Sequence, residues 1–175
     1  MRPIGPLPVT ALLAILCGAA SCDRARAPEP AADDTPPPVE EPEIRPGLSW
    51  SARVTGAGVS LVLSDAAGAP LLHLACVRDR AVMTAEVERF EPIGSEERLT
   101  LGVGGEAFLF VADPTAERPS GVQAEAPISA EFLARLEDAN EVSAVYGAQT
   151  LGPHLPPDPG SAALFVSACR RITMP

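Results

Sequence analysis

Lysine is missing from this 175-residue chain: all 13 basic residues are arginine, set against 23 acids for a formal charge of −10. With the acids spread along the chain and no basic cluster, there is no electrostatic footprint for nucleic acid or for an anionic lipid surface. Nucleic-acid binding is therefore set aside. Histidine occurs twice, as His73 and His154, and no HxxxH, HExxH or CxxC accompanies either one, so the usual zinc-holding spacings are lacking. No GxSxG elbow is present, which removes the commonest sequence sign of a serine hydrolase, although a Ser–His–Asp site assembled in space stays open. GxxxxGK[ST] and GxGxxG are absent too, and the glycines of GVGGEAF (102–108) read as a hairpin turn between two strands. One Trp and one Tyr complete the short supply. The lack of lysine alongside abundant alanine reads as a high-GC genome rather than a functional signal.

What is present begins at the N-terminus. Residues 1–21 have Arg2 in a short basic start, an apolar run from Val9 to Cys17, and the small residues Gly18, Ala19, Ala20 and Ser21. This is the three-part plan of an export signal. The run is too short to span a bilayer, which takes about 20 apolar residues. Small residues leading into Cys22 resemble the lipobox of bacterial lipoproteins, which implies acylation of the Cys22 sulfur and a new N-terminus there. The family favours Leu where Ala19 stands, and Ala19 with Ser21 also suits ordinary signal peptidase. Cys17 falls in the discarded segment. Acyl chains at about 0.8 kcal/mol per buried methylene give stable anchoring. The covalent lipid is the only non-protein group expected, with no cofactor or metal. Asp23 resembles an inner-membrane retention signal in enteric bacteria, so either membrane stays open.

Residues 22–47 carry the lipidated Cys and a stretch with seven prolines, many acids and only Val39 and Ile44 as large aliphatics. Such a segment cannot bury enough apolar surface to offset the entropy of ordering, and it reads as a spacer of partly polyproline-II character. Extended at ~3.1 Å per residue, it reaches on the order of 75 Å.

The pattern changes at Leu48, and residues 48–175 read as one globular domain. Short period-two runs follow each other: Leu48, Trp50, Ala52 and Val54; Val59, Leu61 and Leu63; Leu72, Leu74 and Cys76; Met83, Ala85 and Val87; Leu99, Leu101 and Val103; then EAFLFVA. Joined by turns rich in Gly and Asp, they predict an antiparallel meander over 48–112, in a mainly β domain of sandwich or small barrel-like form with one or two helices. ISAEFLARLEDAN (128–140) predicts a helix capped by Ser129 and closed by Asn140, with Ile128 and Leu133 as a hydrophobic staple. EVSAVYG (141–147) reads as a strand. SAALFVSACRR (161–171) reads as a helix capped by Ser161, with a strand as competitor.

Once Cys17 is removed and Cys22 acylated, Cys76 and Cys169 remain, both on apolar faces. In an oxidising compartment they are expected to form a disulfide. It would close a loop of roughly 90 residues, for an entropic stabilisation on the order of 4 kcal/mol.

In FEPIGSEERLTLGVGGEAFLFVAD (90–113), VYGAQTLGP (145–153) and FVSAC (165–169), the chain resembles small exported lipoproteins of alphaproteobacteria of the Caulobacter type. The resemblance covers most of 48–171. It implies a shared domain and carries no catalytic residue across; the lipid anchor is what places that domain at the periplasmic face of the inner or outer membrane. Candidate recognition residues are Glu96, Glu97 and Arg98, which also read as a solvated turn. Tyr146 and Gln149 in a Gly-flanked loop form a second candidate, since Tyr is favoured at interfaces. Tyr146 also reads as a cap on the core. The function expected is a membrane-anchored, non-catalytic envelope accessory or binding module with a protein partner. An inhibitor of a basic secreted enzyme such as lysozyme is the alternative, and a hydrolase the third reading.

Overall fold

Alternation becomes strand wherever it was read between residues 48 and 112. The computed structural model describes residues 47–114 and 121–173. The export signal, Cys22 and all but the last residue of the spacer lie outside the described residues. Nine strands are formed in chain order: β1 (Ser49–Thr55), β2 (Gly58–Ser64), β3 (Pro70–Val77), β4 (Val82–Val87), β5 (Arg98–Val103), β6 (Glu106–Ala112), β7 (Val122–Pro127), β8 (Val142–Tyr146) and β9 (Gln149–His154). Helix α1 (Ala130–Glu137) lies between β7 and β8, and α2 (Pro159–Thr173) follows β9. The domain is mainly β with two helices, as expected, and its strands form one antiparallel sheet.

The strand order is β1-β2-β3-β4-β7-β6-β5-β8-β9, which corrects the simple meander at one point. Strands β1 to β4 do meander, but β5 is not the neighbour of β4. Strand β7 takes that place, in register from Val82–Pro127 to Val87–Val122, and β5 and β6 form a hairpin beyond it. Two strands have no counterpart in the sequence reading. β7 is VQAEAP, whose small apolar residues are poor β formers, and β9 contains a Gly–Pro pair.

On β2, β3, β4, β5 and β8 alternate residues face inward. Leu61 and Leu63, Leu72 and Leu74, Met83 and Ala85, Leu99 and Leu101, and Ala144 and Tyr146 are all buried. Each large aliphatic or aromatic group among them contributes about 1.5–3 kcal/mol of burial. Helix α2 packs on β1, β2 and β3, while α1 packs on α2 and β5. At the seam, Trp50 Nε1–H on edge strand β1 donates to the carbonyl of Leu155 just past the opposite edge strand β9, at 2.9 Å. This side-chain bond links the two edges of the sheet, which do not pair with each other.

Helix starts follow the hydrogen-bond shortage of the first turn. Ser129 Oγ accepts from the N–H of Phe132 and caps α1, as read from the sequence, at 3.2 Å. The helix ends at Glu137 with Asp138 as its C-cap, two residues before Asn140. For α2 the cap is Asp158, not Ser161: Oδ1 accepts from the N–H of Gly160 and of Ser161, both at 3.0 Å. Pro159 occupies the first helical position, where no partner is needed for an N–H. Bonds from the hydroxyl and N–H of Ser161 hold the Asp158 carboxyl below the usual carboxylate range. The stretch 161–171 is helical because Ala162, Phe165, Val166, Ala168 and Cys169 make one buried face at three- and four-residue spacing.

Cys169 on that face is bonded to Cys76 on β3, with their Cα atoms 5.5 Å apart. The bridge fixes α2 to the sheet through two fully buried sulfurs.

Candidate binding surface

Tyr146, Gln149 and Glu96 do come together, but as a clamp. The phenol oxygen of Tyr146 donates to the carbonyl of Glu96 at 2.7 Å and accepts from the N–H of Ile93 at 3.2 Å. Its ring is 0% exposed and stacks on Phe90. Gln149 spends its amide on the main chain of one residue: Oε1 accepts from the Glu91 N–H and Nε2 donates to the Glu91 carbonyl, both at 2.8 Å. The β8–β9 hairpin thereby pins the 88–97 connection against the sheet. This corrects Tyr146 as a surface contact. Its apolar ring fills core volume and its hydroxyl satisfies main-chain groups that would otherwise be left unpaired. Glu97 and Arg98 are exposed at the end of the pinned connection. Glu96 Oε1 accepts from the Arg98 N–H at 2.9 Å, which shapes the turn.

The surface that sequence reasoning did not single out is on β6. Here the outward parity is apolar as well as the inward one: Leu109 is 61% and Val111 70% exposed. Register places Leu109 beside Thr100, and Thr100 beside Val145, which is 40% exposed. On the outside of the sheet Leu109 and Val111 of β6 and Val145 of β8 thus flank Thr100 of β5. The signal was present in AFLFVA (107–112), an unbroken apolar run in a domain whose other strands mostly alternate.

Next to these residues the sheet splits. Among the described residues, β6 and β7 pair only at Val111–Glu125 and Ala112–Ala124. The Ala112 N–H donates to Glu97 on the β5 side at 2.8 Å. By the alternation of an antiparallel ladder, the main-chain groups of Val111, Leu109 and Ala107 point the other way, towards β7. Continuing the register brings Pro127 opposite Leu109, and proline has no N–H to donate. The ladder stops there and the chain turns into α1. A cleft of about 220 Å³ opens at the split. Met83, Phe108, Phe110, Ala126, Pro127 and Phe132 line it, and Ser129 supplies a polar atom at the mouth. Phe132 meets Phe108 and Phe110 edge to face, at 5.1 and 6.1 Å between ring centres.

Charge near the split is acidic with two arginine partners. Glu106 is ion-paired with Arg135, Glu125 binds Arg80 through both carboxylate oxygens at 2.7 and 2.8 Å, and Glu131 stands exposed in the first turn of α1. Elsewhere His73 projects from the outer face of β3 with Nδ1 3.9 Å from Glu86 Oε2, and His154 is buried. Among the described residues no group of three or more His, Cys, Asp or Glu side chains is placed to hold a metal ion. Compared with protein-family models, with curated proteins and with solved structures, the chain finds no match.

Proposed function

We propose that the chain is an exported lipoprotein, anchored through acyl chains on Cys22, whose β domain is a non-catalytic binding module held off the membrane by the Pro-rich spacer. Three features support the reading: the basic–apolar–small order of residues 1–21 ahead of Cys22, the spacer composition, and the Cys76–Cys169 bridge, which suits an oxidising compartment. The resemblance of 90–113 and 145–153 to exported alphaproteobacterial lipoproteins points the same way. The observation that carries the binding role is the exposure of Leu109 and Val111 beside the apolar cleft. Contiguous apolar surface of this kind marks sites where another molecule docks.

Two measurements test it. Cys22→Ser moves the protein from the membrane fraction to the soluble fraction and removes the mobility shift seen when lipoprotein signal peptidase is inhibited; an unchanged distribution rejects the anchor. A photoreactive residue at Val145, activated in intact cells, gives an adduct of discrete mass. Absence of an adduct at Val145, Leu109 and Val111 alike rejects the module.

A further inference from the structure

We infer that the split between β6 and β7 is an acceptor slot for an extended segment of a partner protein, one carrying an apolar anchor residue between basic residues. The inference rests on the binding-module reading and names the kind of partner it takes. The main-chain groups of Ala107 and Leu109 face the split, and no described strand is in register with them there. An incoming strand finds two N–H donors and two C=O acceptors at ladder spacing, the mode by which sheet edges capture peptides. The cleft lies under that strand, floored by Met83 and Phe132, and its size and lining suit one large apolar side chain per segment. A pure acyl chain would leave the Ala107 and Leu109 amides unanswered, so a peptide is the better fit.

Charge selects among peptides. The chain carries −10 overall, and around the slot Glu106 and Glu125 are paired with Arg135 and Arg80 while Glu131 adds a negative charge uncompensated among the described residues. A second copy brings like charge to like charge and is disfavoured. The chain's own spacer is a poor occupant too, since it is acidic and its seven prolines cannot donate to a ladder. Basic residues on either side of the anchor complement the rim and speed encounter.

The test uses the full purified chain and a labelled peptide, Arg-Thr-Val-Phe-Val-Thr-Arg, followed by fluorescence polarisation. Saturable binding is expected, weakened at least about tenfold when alternate peptide amides are N-methylated and when the arginines are replaced by glutamates. Ala107→Pro removes an N–H that faces the split and leaves the β5–β6 ladder intact, so it should cost a similar factor with little change in melting temperature. Should that variant fold poorly, hydrogen exchange at Ala107 and Leu109 in the wild-type chain decides: slowing on peptide addition supports the slot, and unchanged exchange overturns it. No saturation, or equal binding of the methylated and parent peptides, overturns strand addition. Equal binding of the glutamate peptide overturns the basic partner. Adducts at Val145 in cells that persist with Ala107→Pro would retire the slot while leaving the module standing, whereas no adduct at any of the three outer positions retires both.

Discussion

The hydroxyl of Tyr146 sits 2.7 Å from the carbonyl of Glu96, fifty residues earlier in the chain, and ties the longest described connection of the domain to its β8–β9 hairpin. Tyr146→Phe keeps the ring and its contact with Phe90 but strands the partner groups on Ile93 and Glu96. A loss of about 1–2 kcal/mol is expected in urea unfolding, with faster hydrogen exchange confined to residues 91–97. Unchanged exchange there would mean that the clamp contributes nothing.

The bridge between Cys76 and Cys169 spans 93 positions. Replacing both residues with Ala removes a constraint on the unfolded chain worth on the order of 4 kcal/mol, a large part of the ~5–15 kcal/mol available to a domain. Denaturant midpoints with and without the pair measure it. Because the two residues are joined, alkylating reagents should find neither as a thiol in the native protein, and because both sulfurs are buried, reduction should follow unfolding.

Asp158 gives the domain a pH dependence of known sign. Its carboxyl titrates below its ordinary value in the folded protein, so the charged cap stabilises the fold above the unfolded-state value of 3.8. That contribution is lost as pH falls through the lower, folded value. Asp158→Asn keeps a capping oxygen without the charge. Its melting temperature should fall below wild type at pH 6, and the two curves should converge as the pH drops through the lowered folded-state value.

Gly58 opens β2 at φ 149°, and a Cβ there would stand 1.9 Å from the carbonyl oxygen of Cys76. The backbone of β3 cannot retreat without breaking its ladder. Gly58→Ala should cost on the order of 3 kcal/mol in equilibrium unfolding, whereas Gly68→Ala, with open space around its Cβ direction, should cost less.

Alternation made most of the sheet legible, because a strand with one wet face must write its period into the sequence. Leu72, Leu74 and Cys76 announce β3 unaided, and Ser129 announces α1. Strand β7 was hidden because its inward residues are Val122 and Ala124, too small to stand out, and because its neighbour β4 is chosen by tertiary pairing rather than by chain order. Asp158 was passed over as a cap because three prolines lie within three residues of it, a context that reads as loop. The candidate site was the least legible part. Tyr146 advertises both a core ring and a contact hydroxyl, and only the position of the 88–97 connection decides between them. Leu109 and Val111 look like ordinary strand residues until the register assigns them to the outside.

The seam where Trp50 reaches the carbonyl of Leu155 has one more consequence. Trp50 is the only tryptophan, so the indole emission of this protein originates at one place, the join between the first strand and the chain leaving the last. Any loosening of that join exposes the ring further to solvent and shifts its spectrum to the red, with no second indole to mask the change. The protein carries its own gauge of whether that link between Trp50 and Leu155 holds.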